Sequence, residues 1–170
     1  MTKVFIDGSS GTTGLRIRER LCTRKDIELI ALDEAHRKDS GARRDAFQKA
    51  DVAFLCLPDA AAIEAVEMAA DSGAVIIDTS TAHRTAAGWT YGMPELTGGK
   101  EKIAKAKRIA NPGCHASGFI ALVAPLVEKG LLAKDTLLTC FSLTGYSGGG
   151  KNMIAEYEER GVPDGIPPLS

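Results

Sequence analysis

Lys3-Val4-Phe5-Ile6-Asp7-Gly8-Ser9-Ser10-Gly11-Thr12-Thr13-Gly14 is the stretch that decides the fold. Its first half is a short apolar run that reads as a buried parallel strand. Its second half is a G-x-x-G-x-x-G loop, and the helical pattern Leu15, Ile17, Leu21, Cys22 follows at once. Strand, glycine loop and helix in that order form the setting in which such a loop binds phosphate. The glycines let the backbone approach a pyrophosphate, and the helix start offers N–H donors without intrahelical partners. Gly8, Ser10, Gly11, Thr12, Thr13 and Gly14 are therefore candidate residues of a dinucleotide site. The spacing departs from the usual G-x-G-x-x-G, and a ligand-free strand-to-helix turn is the competing reading.

Working outward, the apolar runs Glu28-Leu29-Ile30-Ala31-Leu32, Val52-Ala53-Phe54-Leu55-Cys56-Leu57 and Ala74-Val75-Ile76-Ile77-Asp78 read as three further strands. Asp59 is expected to cap the helix that carries Ile63, Val66 and Ala70, and Gly73 to end it. Strands alternating with helices imply an α/β chain with a doubly wound parallel sheet. Ligands of such sheets lie beyond the carboxyl ends of the strands. That rule gathers the glycine loop, Leu57-Pro58 and Thr79-Ser80-Thr81-Ala82-His83-Arg84 on one edge, and adds Pro58 and Ser80 to the cofactor candidates. Asp33 ends the second strand where an acidic residue bonds a ribose hydroxyl of NAD. Arg37, Lys38, Arg43 and Arg44 follow it. Arg37 and Lys38 are suited to clamp a 2′-phosphate, which favours NADP, whereas Arg43 and Arg44 read as solvated charges.

A second informative stretch is Asn111-Pro112-Gly113-Cys114-His115, which leads into the run Phe119, Ile120, Leu122, Val123, Leu126, Val127. The helical spacing places Cys114 in a first helical turn, where N–H donors and the helix dipole favour thiolate over thiol and suit covalent chemistry on a carbonyl. A small apolar residue packed under a helix is the plainer alternative. Arg84, at the strand-end edge, is suited to a carboxylate or phosphate. His83 reads as a loop or interface residue. Glu95, in the turn-rich connection after Trp89 and Tyr91, either orients a group of the site or is solvated. Residues 100–108 read as a charged surface helix, and Gly130 as the end of the cysteine helix. Residues 136–143 alternate as a strand that delivers Thr144-Gly145-Tyr146-Ser147-Gly148-Gly149-Gly150-Lys151, which reads either as a second ligand-binding glycine loop with a lysine able to hold an anion or as a flexible hairpin or linker. A short helix over 152–160 and a tail without a packing pattern follow.

Composition bounds the rest. The 170 residues are 44% hydrophobic and 25% charged, enough for one real core, and the formal net charge of −1 gives no reason to expect nucleic acid or an anionic membrane surface as partner. Cys22, Cys56, Cys114 and Cys140 are widely spaced, so a zinc site is not expected. The three other than Cys114 read as packing residues, and free thiols fit a cytoplasmic setting. No early apolar stretch resembles a signal peptide, and no run is long enough for a membrane span.

Taken together, these motifs resemble the shorter form of N-acetyl-gamma-glutamyl-phosphate reductase. The resemblance rests on residues 8–14, 78–84, 91–95, 111–115 and 144–151, and so runs along nearly the whole chain. It implies a Rossmann-type domain over 1–115, followed at 116–170 by the start of an α+β substrate and dimerisation domain. It also implies Cys114 as catalytic nucleophile, NADPH on the first glycine loop with Gly148 nearby, and Arg84, Glu95, Asn111, His115, Ser147 and Lys151 around the substrate. The reaction it implies is NADPH-dependent reduction of N-acetyl-gamma-glutamyl phosphate to the semialdehyde, a step of arginine biosynthesis, through a cysteine thioester. Aspartate-semialdehyde dehydrogenase shares the design, but its nucleophile usually follows Asn directly, which sets Asn111-Pro112-Gly113-Cys114 apart. The resemblance further implies a homo-oligomer and a catalytic histidine from sequence beyond Ser170. This 170-residue stretch is therefore expected to bind cofactor without completing turnover. A non-catalytic NADP-binding module is the reading from a different class.

Overall fold

A computed structural model describes residues 1–144, 148 and 150–160. They fall into two units, 1–133 and 134–170. The first unit is a six-stranded, all-parallel sheet. Its strands are β1 (Thr2–Asp7), β2 (Ile27–Ile30), β3 (Val52–Leu55), β4 (Val75–Asp78), β5 (Thr90–Tyr91) and β6 (Arg108–Ala110), in the order β2-β1-β3-β4-β6-β5. The helices are α1 (Thr12–Leu21), α2 (Ser40–Lys49), α3 (Asp59–Met68), α4 (Gly99–Lys105) and α5 (Cys114–Glu128). The order reverses direction between β1 and β3, the arrangement expected of a doubly wound sheet.

β1 lies between β2 and β3, and Val4, Phe5, Ile6 and Asp7 are all buried, which is why its sequence is apolar without alternation. The largest core residues are Phe5, Phe47, Leu55 and Ile76, and the Phe5 and Phe47 rings meet edge to face at 5.1 Å. Ala46, Ala50, Ala65 and Ala69 are buried with them. Small side chains at these positions let α2 and α3 lie close on the sheet and one another. Aspartate caps α2: the Asp39 side chain accepts from the Ala42 N–H at 2.7 Å. At the other end of the unit, Gly130 adopts φ +69° two residues after the last residue of α5, a left-handed stop that only glycine takes without strain.

Several expectations are corrected. Asp59 is the first residue of α3 and not its cap; Pro58 holds that position, and the Asp59 carboxylate turns instead to Thr81. α3 ends at Met68, several residues before Gly73. Arg43 is no solvated charge. It is buried in α2 and donates from Nε and Nη2 to Asp7 at 3.1 and 2.8 Å. β5 and β6 were not legible, because two or three residues carry no period. Arg108 belongs to β6, leaving α4 shorter than the charged run suggests.

In the second unit, residues 136–143 form no strand; they are exposed, with Leu137 at 98%. A strand exists through a ladder of backbone hydrogen bonds to a neighbouring strand, and the six-stranded sheet does not include this run. The last element, α6 (Gly150–Arg160), agrees with the expected helix. Ser147, the side chain of Lys151 and the 161–170 tail lie outside the described residues.

Candidate active site

Because every strand is parallel, the carboxyl ends of β1, β3, β4 and β6 open on one edge. Each delivers a turn there. After β1, Gly8 has φ +82°, and a Cβ on it would lie 2.3 Å from the Cys56 carbonyl oxygen. Gly14, in the first turn of α1, would place a Cβ 2.4 Å from the Gly8 carbonyl oxygen. These two glycines lock the loop to the end of β3 and to α1. Gly11 differs. It is the cap of α1 at φ −77°, and a Cβ there would meet the Gly8 oxygen at 3.4 Å and the Cys56 oxygen at 3.9 Å, both ordinary contacts. No side chain caps α1, so its first N–H groups are left for a ligand. A close backbone turn ending in an uncapped helix start fits a pyrophosphate.

Arg37 reaches this loop, donating from Nη1 to the Ser10 hydroxyl at 3.0 Å while pairing with Glu34 at 3.0 Å. Lys38 beside it is exposed. Asp33 accepts from the His36 N–H at 2.8 Å and lies 2.7 Å from His36 Nδ1. Those hydrogen bonds hold its carboxyl below the usual range, and the residue serves first as the cap of its own turn.

The turn after β4 is held from two sides. On the inside, Asp78 is fully buried and accepts from the Ser80 N–H at 3.0 Å and the Ser80 hydroxyl at 2.6 Å, and lies 2.7 Å from His83 Nδ1. His83 stacks on Trp89 with centroids 4.1 Å apart. On the outside, Asp59 accepts from the Thr81 N–H at 2.9 Å and from its hydroxyl. Ser80 is at the expected edge, but its hydroxyl faces inward, toward Asp78.

After β6, the Asn111 N–H donates to the Asp78 carbonyl at 2.7 Å, and the chain turns through Pro112 and Gly113 into α5. Gly113 is the helix cap and Cys114 the first helical residue, exposed, with no acidic residue in the first turn. Arg84 crosses to this point. Its Nε donates to the Asn111 carbonyl and its Nη2 to the Thr79 carbonyl, both at 3.3 Å, and a Cβ on Gly113 would lie 2.6 Å from Arg84 Nη1. The glycine before the cysteine thus makes room for a guanidinium. His115 is exposed next to Cys114.

Beside α5 lies a cleft of about 550 Å³ lined by residues 92–95, Asn111, Pro112, Ser117, Gly118 and Ala121. It brings Glu95 and Asn111 together, as expected for groups bordering one site. Gly148 is an exposed turn residue of the second unit.

Of the cysteines read as packing, only Cys56 is partly buried; Cys22 and Cys140 are exposed. Burial pushes the Cys56 thiol up to about 11. The sequence reading missed the inward grip of Asp78 and the outward grip of Asp59. The Asp78-Thr79-Ser80 order at a strand end was the available signal for the first, since an aspartate there bonds the backbone two residues on.

Residues 33–106 match the model of the NAD-binding domain of semialdehyde dehydrogenase, and residues 114–168 match that of its dimerisation domain. The chain belongs to the semialdehyde dehydrogenase family. Within it, the chain is 52% identical over 160 residues to an N-acetyl-gamma-glutamyl-phosphate reductase of Chelativorans sp. (strain BNC1), across 94% of this chain and 52% of that protein. It is 50% identical over 157 residues to the reductase of the same name from Trichormus variabilis, across 92% of this chain and 49% of that one. The chain thus spans about half the length of the curated relatives it matches. The fold is that of aspartate semialdehyde dehydrogenase from Francisella tularensis, with a TM-score of 0.67 at 17% identity over 92% of this chain and 48% of that one. The Vibrio cholerae aspartate semialdehyde dehydrogenase II gives 0.63 at 17%, over 92% and 50%. The doubly wound reading and the family resemblance both hold.

Proposed function

We propose that this chain is the cofactor-binding and nucleophile-bearing part of an NADPH-dependent reductase that converts N-acetyl-gamma-glutamyl phosphate to its semialdehyde. The observation that carries the reading is Cys114 at the start of α5 with the Arg84 guanidinium against Gly113, on the same sheet edge as the glycine loop. The names of the relatives support the substrate. The dinucleotide would be held by Gly8, Ser10, Gly11, Thr12, Thr13 and Gly14, with Arg37 and Lys38 toward a 2′-phosphate and Pro58 and Ser80 along the edge; Gly148 remains a cofactor candidate on the family resemblance alone. When bound, NADPH supplies the hydride.

The protein's own part is to hold and attack the acyl phosphate. Arg84 is hydrogen-bonded to two neutral carbonyls and only feels the Asp59 carboxylate at longer range, so its guanidinium can still take a phosphate or carboxylate. The Cys114 sulfur attacks the acyl carbon, the acyl–oxygen bond breaks, phosphate leaves and a thioester remains on the sulfur. N–H groups at the start of α5 stabilise the oxyanion formed on the way. His83 is not the proton donor for later steps, being buried between Asp78 and Trp89. Asn111, Glu95 and His115 complete the substrate side in this reading, and Ser147 and Lys151 remain substrate candidates on the family resemblance alone. The match of residues 114–168 to a dimerisation domain and the absence of any buried residue in α5 support a boundary near 115 and a homo-oligomer, although α5 itself lies in the first compact unit, which runs to 133.

Intact-mass measurement after mixing the chain with freshly generated N-acetyl-gamma-glutamyl phosphate tests this. One acyl adduct, lost in Cys114→Ser, is expected. No adduct, or equal acylation by aspartyl phosphate, overturns the assignment. Calorimetry is expected to give tighter binding of NADPH than of NADH, with the difference reduced in Arg37→Ala. Equal affinities in the unaltered chain would refute the NADP preference.

A further inference from the structure

Arg84 is a long, flexible side chain held by two hydrogen bonds of 3.3 Å to carbonyl oxygens. Fixing such a side chain costs rotamer entropy, and two long bonds to neutral acceptors offset little of it. Yet its Nη1 lies where a Cβ of Gly113 would stand 2.6 Å away, one residue before Cys114. What precedes Arg84 in the chain is correspondingly over-determined. Asp78 is fully buried at the end of β4 and takes three donors from residues 80 and 83. The His83 ring, 8% exposed, is stacked at 15° on Trp89, which itself packs against the main core. Ala86 N donates to the His83 carbonyl and Trp89 N to the Ala86 carbonyl, each at 3.3 Å, so the segment from His83 to Trp89 is wound in turns onto that core. Thr79 is tied to the Leu55 carbonyl through both its N–H and its hydroxyl, at 3.0 and 2.9 Å. A buried histidine and aspartate adjoining a site, with no open path to a ligand, call for a role other than contact.

We propose that Asp78, His83 and Trp89 form a brace that positions Arg84, holding its guanidinium against Gly113 so that the sulfur of Cys114 is approached preferentially by anions. The proposal rests on the reading of Cys114 and Arg84 given above and adds to it a set of positioning residues that touch neither cofactor nor substrate. The brace works by fixing the backbone from which Arg84 springs: with residues 78–83 anchored on the core, few rotamers of Arg84 remain, and those reach the turn before α5.

Two alkylating reagents of similar size, anionic iodoacetate and neutral iodoacetamide, read this out in the chain as it stands. The ratio of their rates at Cys114, followed by mass spectrometry of the labelled peptide, reports positive charge near the sulfur and cancels changes in thiolate fraction. Arg84→Ala is expected to lower the ratio about threefold, as befits a partly screened charge at close range. His83→Phe keeps an aromatic ring on Trp89 but removes the bond to Asp78, and is expected to lower the ratio nearly as far. His83→Asn, whose amide nitrogen takes the place of Nδ1, restores most of it. In the Arg84→Ala background, His83→Phe should have no further effect. The half-buried Cys56 serves as fold reporter, since its labelling stays slow while β3 and β4 remain intact. Should His83→Phe expose Cys56, the isosteric variant Asp78→Asn, which weakens the bonds to Ser80 and His83, takes its place and is expected to lower the ratio about twofold. An unchanged ratio in the folded turn variants, or an equal fall with and without Arg84, overturns the brace. An unchanged ratio in Arg84→Ala strikes instead at the underlying reading of the site.

Discussion

Among the four cysteines, three are exposed, and exposure therefore does not set Cys114 apart from Cys22 and Cys140. What differs is the setting: Cys114 opens α5, where N–H donors lack side-chain caps, with a guanidinium beside the preceding glycine. With all three exposed, iodoacetamide at neutral pH is expected to label Cys114 well before Cys22 and Cys140, and Cys56 last. Peptide mass spectrometry over a time course checks the order, and equal rates at the three exposed thiols would refute a special setting. Cys56 carries a pH consequence. Its thiol rises from 9.0 to about 11 because burial opposes the charged form. Since the folded value is the raised one, the stabilisation is complete below about pH 9 and is lost as pH rises toward about 11. For a thiol that is only partly buried this amounts to about 1–2 kcal/mol. Denaturant midpoints across that window should fall less steeply in Cys56→Ala than in the unaltered chain.

The glycine loop behaves as an element in which each glycine has its own reason. Gly14→Ala forces a Cβ to 2.4 Å from the Gly8 oxygen, and a clash with backbone cannot be relieved by a rotamer change. Its expected cost is about 1–3 kcal/mol, with loss of cofactor binding. Gly11→Ala meets only ordinary contacts, so its melting temperature should stay near that of the unaltered chain, while NADPH affinity is expected to fall about tenfold if a pyrophosphate packs against this turn. Melting curves and calorimetry on the two variants separate these effects. A second tie at this scale joins α2 to β1. Asp7 is buried, and desolvation holds its carboxyl above the usual value although Arg43 pulls the other way. Arg43→Leu leaves that carboxylate without its partner and is expected to cost about 3 kcal/mol, measured as a lower denaturant midpoint.

Over the whole molecule, the apolar residues divide into those that hold the sheet together and those that do not. Phe47 is fully buried against Phe5, and Phe47→Ala is expected to cost about 3–5 kcal/mol. Leu122, on the most hydrophobic of the helices, is 73% exposed, and α5 buries none of its side chains. Leu122→Lys should leave the unfolding midpoint of this chain nearly unchanged, because a side chain this exposed has little contact to lose. A drop as large as that of Phe47→Ala would mean that the α5 face is part of the core.

Much of this protein was fixed by local chemistry. An unbroken apolar run before G-x-x-G-x-x-G, strands alternating with helices, and a cysteine after Pro-Gly at the head of a helical period imply the parallel sheet, its ligand edge and the place of Cys114, because period, turn residues and helix starts act over a few neighbouring positions. Tertiary structure alone decided the matters that depend on partners distant in the chain. Arg43 looked like a surface charge until Asp7, buried on β1, required it. Asp59 looked like a cap until Thr81 offered better donors. Residues 136–143 alternate like a strand yet find no ladder among the described residues, since a strand is completed only by a neighbour. The turn after β4 had its residues legible and its grip hidden: no period or spacing announces that Asp78 faces inward, that His83 lies on Trp89, or that Arg84 comes to rest against Gly113. Burial and long-range hydrogen bonding are set by the packing of the whole chain, and no local stretch contains them.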